Sequence, residues 1–113
     1  MKVLVTGATS GLGRNAVEWL LAAGHTVYAT GRDRSVGEQL RQAGAVFTAL
    51  DLSVATAAEC AALIGDAETV WHCAAKSSPW GRREAFWQAN VIATERLTAA
   101  AGQRGVKRFI HIS

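Results

Sequence analysis

Apolar residues recur along this chain in two alternating rhythms. Short β-branched runs, punctuated by Gly, Ser and Asp, are separated by longer stretches where apolar residues return every third or fourth position. Lys2 to Thr6 is the first run, dense enough for a strand buried on both faces. From Leu12 to Ala23 the spacing becomes helical: Leu12, Ala16, Leu20 and Ala23 share a face, Arg14 and Glu18 lie off it, and Gly24 follows as a helix-ending glycine. Thr26 to Thr30 reads as a second strand. Ser35 with Glu38 three residues on has the form of a capping box, predicting a helix that ends at Gly44. Val46 to Leu50 is a third strand, and Ser53 is placed to cap a helix running to about Ile64. A tight Gly65-Asp66 turn leads to a fourth strand, Thr69 to Cys73. After a loop comes a long helix, Glu84 to Ala101, closed by Gly102, and then a fifth strand, Arg108 to Ile112.

Strands alternating with helices of this length indicate βαβ units and a parallel sheet. Right-handed crossovers leave few arrangements, and the expected one is an α/β, doubly wound sheet of five strands in the order 3-2-1-4-5. No internal repeat, linker or low-complexity tract interrupts it, so residues 1–113 read as one domain.

Composition narrows the function classes. Half of the 113 residues are apolar, and 19% are charged, which suits one packed core and argues against bulk disorder. The net charge of +3 is spread out, with short pairs at Arg82-Arg83 and Lys107-Arg108 and no stripe of the kind nucleic acid needs. An anionic small molecule suits the same mild excess. Cys60 and Cys73 form no staple framework and lack metal-ligand spacing. No stretch approaches the roughly 20 apolar residues of a membrane span, and the apolar run before the first glycines is too short for a signal peptide. A cytoplasmic protein without membrane or nucleic-acid partners is expected.

The chemistry gathers at Thr6-Gly7-Ala8-Thr9-Ser10-Gly11-Leu12-Gly13, between the first strand and the first helix. Glycine there permits a sharp turn, lets backbone amides approach a diphosphate, and lets helix and strand pack closely. The helix N-terminus then offers free N–H groups and partial positive charge to an anion. An ordinary tight turn would need none of this context. Gly7, Thr9, Ser10, Gly11, Leu12 and Gly13 are therefore candidate cofactor contacts.

At these residues the chain resembles the short-chain dehydrogenase/reductase family, whose T-G-x-x-x-G-x-G motif is matched by Thr6, Gly7, Gly11 and Gly13. Val70-Trp71-His72-Cys73-Ala74-Ala75 resembles the V-x-H-x-A-A of that family's extended branch, which covers epimerases, dehydratases and 3β-hydroxysteroid-dehydrogenase-like enzymes. Asn90-Val91 with Thr94, and Gly105 to Ile110, match the same branch. Ala74-Ala75-Lys76 with Pro79-Trp80-Gly81 is most similar to its steroid-dehydrogenase-like members. The glycine spacing is that of the shorter, single-domain branch, whereas the later matches, in several separate places, assign the chain to the extended one. The resemblance implies a Rossmann-type fold binding NAD(P) and a hydroxyl or carbonyl substrate.

The cofactor is read at the end of the second strand, roughly 20 residues past the glycines, where NAD enzymes hold an acid for the ribose hydroxyls. Here Gly31 stands at that position and Arg32 follows. An arginine fork on a 2′-phosphate contributes roughly 1.5–3 kcal/mol, which favours NADP, with NAD the alternative. The competing reading makes Arg32 a solvated residue paired with Asp33. By resemblance, Asp51 and the Leu52 amide contact the adenine, a role favoured over the alternative that Asp51 merely caps the next helix, which Ser53 could also do. Ala74 and Ala75 would let a ribose lie against backbone, and Lys76 would reach the nicotinamide side. Ser77 and Ser78 either join it or form a polar surface loop. Trp80 lines a substrate pocket or covers the sheet edge. Asn90 shares a helical face with Phe86, Ala93 and Leu97, and reads as a support for the site. His72 and His111 are expected to be packed in strands without catalytic roles, and Cys73 to be a core residue.

The family's hydride transfer uses a tyrosine, lowered in pKa by a lysine four residues on, and a serine or threonine that orients the carbonyl. The only tyrosine is Tyr28, and four residues on stands Arg32. Ser113 falls at or just before the serine's place. These residues therefore read as the N-terminal, cofactor-binding part of a longer enzyme, truncated after the fifth strand, with no catalytic residue of their own. The alternative is a non-catalytic NADP-sensing module of the same fold. An unpaired fifth strand would favour a homo-oligomer.

Overall fold

The computed structural model describes the backbone of residues 1–73 and 83–112, and the side chains of 1–73 and 92–112. Five strands, β1 (Lys2–Thr6), β2 (Thr26–Gly31), β3 (Val46–Ala49), β4 (Thr69–Cys73) and β5 (Arg108–Ile112), form one sheet. Its order is β3-β2-β1-β4-β5 and every pairing is parallel, as expected. The helices are α1 (Gly11–Ala22), α2 (Arg34–Ala43), α3 (Ala57–Ile64) and α4 (Arg83–Gln103).

Strand alternation sends side chains to two separate cores. Val3, Val5, Val27 and Ala29 pack with Val17 and Leu20 of α1 and Leu40 of α2. Leu4 and Val70 point the other way, onto Cys60 and Ile64 of α3 and Leu97 and Ala101 of α4. A parallel sheet covered on both faces accounts for strands that read as near-continuous apolar runs. Arg96 of α4 and Arg104 just after it donate to the carbonyls of Ala55 (2.8 Å) and Ala61 (3.2 Å), tying this part of the chain to α3 and the turn before it.

Four sequence expectations need correction. The buried residues of α1 are Gly13, Val17 and Leu20, while Leu12 is 45% exposed, because the helix sets Gly13 against the preceding loop. Asp33, not Ser35, caps α2, accepting from the amides of Ser35 (2.9 Å) and Val36 (3.1 Å). Helix α3 starts at Thr56 and not at Ser53: Thr56 and Glu59 exchange backbone and side-chain bonds in a full capping box, while Ser53 bonds to Asp51. Gly102 lies inside α4, which ends where Gly105 turns at φ +74° and the Val106 amide reaches back to the Ala101 carbonyl.

Candidate functional site

The strand order reverses between β1 and β4, so the crevice beyond their carboxyl ends is the natural ligand site of such a sheet. The loop after β1 fills that corner. Gly7 turns at φ +61°, and a Cβ there would lie 2.3 Å from the carbonyl oxygen of Cys73, the last residue of β4. Gly13 presses the first turn of α1 back onto the loop: its Cβ would fall 2.0 Å from the Gly7 carbonyl oxygen. Both positions demand glycine for packing. Gly11 differs, because a Cβ there meets nothing within 4 Å.

The loop is held from inside. Ala8 is fully buried and its amide donates to the Thr30 carbonyl of β2 at 2.9 Å. Ser10 occupies the N-cap position of α1, yet its hydroxyl donates backward to the Gly7 carbonyl at 2.7 Å. No side chain caps α1 among the described residues. The amides at its start are therefore left without a side-chain acceptor among the described residues, with the helix dipole behind them. An acceptor-rich anion such as a diphosphate fits this arrangement.

The ends of β2 and β3 supply the second half of the site. Gly31 closes β2 and is buried, its carbonyl accepting the Leu50 amide at 3.1 Å. Arg32 is exposed, and Asp33 is committed to capping α2, so no Arg32–Asp33 ion pair forms among the described residues. Asp51 is half-buried and accepts from the Ser53 amide (3.0 Å) and hydroxyl (2.6 Å), both on Oδ1. The Ser53 hydroxyl bond chiefly holds its carboxyl below the usual range, and the charge of Arg32 acts in the same direction. Leu52 is half-buried and packs toward the Leu4–Val70 core.

Sequence reasoning missed a buried relay at the β1–β4 seam. The His72 ring takes Thr6 Oγ1 on Nδ1 (2.5 Å) and Thr94 Oγ1 of α4 on Nε2 (2.9 Å). Burial pushes its pKa down to about 4, with His111 adding to the shift. The neutral ring thus donates to one hydroxyl and accepts from the other. His111 stacks on it at 5.1 Å but is itself exposed, contrary to expectation. Cys73 is buried as expected.

The sequence model of the NAD dependent epimerase/dehydratase family matches residues 3–113. The chain belongs to that family. The family match agrees with the later motifs and with the extended branch, not with the glycine spacing alone. Across the full chain it is 50% identical to the uncharacterized protein YbjS of Escherichia coli K12 and 33% identical to the 2-alkyl-3-oxoalkanoate reductase of Stenotrophomonas maltophilia K279a. It covers 34% and 33% of those two proteins, so it spans about a third of their length. Among solved structures it superposes, with a TM-score of 0.83 and 26% identity, on a UDP-glucose-4-epimerase from Stenotrophomonas maltophila with bound NAD and formylated UDP-arabinopyranose. That alignment covers 98% of this chain and 36% of the epimerase.

In the family's terms, the structure brings the glycine loop, the end of β2 and Asp51 to one edge of the sheet. Ala74, Ala75, Lys76, Ser77, Ser78, Trp80 and Ser113 lie outside the described residues, as does the side chain of Asn90. Tyr28 is accounted for elsewhere: its hydroxyl donates to Asp66 at 2.7 Å, near Lys2 at the opposite edge, and that bond raises its pKa. No helix among the described residues is long and apolar enough to cross a membrane.

Proposed function

We propose that residues 1–113 are the dinucleotide-binding part of an NADP-dependent oxidoreductase (a reductase, dehydrogenase or epimerase) acting on a hydroxyl or carbonyl group of a small molecule. The observation that carries this reading is the start of α1, uncapped by any described side chain and open at Gly11. When the dinucleotide is bound, its nicotinamide would supply the hydride acceptor or donor. The chain's own part is to bind and orient: the amides opening α1 hold the diphosphate, and Asp51 with the Leu52 amide meets the adenine. Arg32 pairs with the 2′-phosphate. Ala74, Ala75 and Lys76 complete the nicotinamide side.

Tyr28 supplies no acid or base, because its hydroxyl is held at the wrong edge and made harder to ionise by Asp66. The acid–base pair is assigned to residues outside these 113. Two buried free thiols suit a reducing, cytoplasmic setting.

Titration calorimetry with NADP and NAD tests the reading. NADP is expected to bind roughly tenfold or more tightly than NAD, and Arg32→Ala to remove most of that preference. A folded sample giving no heat with either dinucleotide overturns the reading. Equal affinities overturn the choice of NADP.

A further inference from the structure

The end of β2 is closed to an acid for a reason beyond the identity of residue 31. A Cβ built on Gly31 would lie 2.6 Å from Thr9 Oγ1, 2.8 Å from Thr9 Cγ2 and 3.1 Å from Thr9 Cβ. Both branches of the threonine crowd the position, and its own Cβ is also tight, so rotation about χ1 does not clear it. Neither partner is free to recede. The Ala8 amide, one residue before Thr9, is bonded to Thr30, one residue before Gly31. Gly31 is further fixed by its pairing with Ala49 and by the Leu50 amide on its carbonyl.

We infer that Thr9 is a specificity-determining residue: its side chain occupies the room that an acidic side chain at position 31 would need. The phosphate loop, and not only the strand, then excludes the carboxylate that would select NAD. This rests on the cofactor reading above. Selection here is a coupled property of positions 9 and 31, which are 22 residues apart in sequence and in contact in space.

A double-mutant cycle tests it, with the NAD and NADP dissociation constants read for Thr9→Ala, Gly31→Asp and the double variant. Gly31→Asp alone should weaken NADP roughly tenfold without improving NAD, because the loop is displaced. Adding Thr9→Ala should then strengthen NAD roughly tenfold over Gly31→Asp. If Gly31→Asp alone binds NAD as tightly as the double variant, Thr9 is not the obstacle and the inference fails. Should Gly31→Asp not fold, Gly31→Ala provides the second readout. Its melting temperature should fall and be largely restored by Thr9→Ala, and additive losses overturn the inference. If the unmutated chain binds neither dinucleotide, the cofactor reading falls, while the melting cycle still reports the contact.

Discussion

At the scale of single residues, two glycines in the first turn of α1 do different work. Gly13 has no room for a Cβ, whereas Gly11 has open space. Gly13→Ala should therefore cost at least ~2 kcal/mol in urea unfolding, through overlap with rigid backbone. Gly11→Ala should leave stability within about 0.5 kcal/mol and, on the proposed function, weaken the dinucleotide roughly tenfold, because the added methyl would crowd the proposed diphosphate. The reverse pattern would remove Gly11 from the site. His72 makes a separate prediction. The unfolded chain takes up a proton on it near its ordinary value of 6.5, and the folded chain only near 4. Between those values the unfolded state binds more protons, so stability is complete above about pH 6.5 and declines as pH falls, by up to ~3 kcal/mol. In His72→Gln, chemical denaturation across pH 4–7 should show a flatter profile in that window, and an unchanged slope would exclude His72 as the source.

At the scale of elements, helix starts decide how the chain leaves each strand. At α2 the capping carboxylate is Asp33, and Ser35 contributes its amide rather than its hydroxyl. Asp33→Ala should cost about 1 kcal/mol, and Ser35→Ala a few tenths at most. Comparable losses from both would return the cap to Ser35. The same cap keeps Asp33 away from Arg32, leaving that guanidinium exposed beside the end of β2 and able to lower the Asp51 pKa. Helix α1 is started in the opposite manner. Ser10 turns its hydroxyl back to Gly7, and the helix amides are left for a ligand.

At the scale of the whole molecule, the two edges of the sheet are chemically distinct. The amino edge carries a charged cluster in which Asp66 accepts from both Lys2 and Tyr28, and these two bonds hold the Asp66 carboxyl below its usual range. The carboxyl edge carries the glycine loop, Gly31 and Asp51. Asp66→Asn should accordingly lower the Tyr28 pKa, seen by spectrophotometric titration, while leaving the dinucleotide dissociation constant within about twofold. A larger change in affinity would mean that the edges are coupled through β1 and β2. At the carboxyl edge, His72 joins β1 to α4 through its hydrogen bonds to Thr6 and Thr94.

Hydrophobic rhythm and punctuation determined the five strands, their parallel order and the location of the phosphate loop. Those properties depend on local spacing: strand runs such as Lys2–Thr6 are short and buried on both sides, and only a few crossovers are possible. Tertiary structure decided what depends on contacts between distant residues. Gly13 shows no hydropathy, so only its approach to Gly7 reveals that α1 buries this side and exposes Leu12. The choice of Asp33 over Ser35, and of Thr56 over Ser53, depends on which hydroxyl or carboxylate reaches a free amide, a matter of ångströms that composition does not record. The closure of Gly31 by Thr9 and the bridging of Thr6 and Thr94 by His72 exist only because parallel pairing brings separate strand ends together.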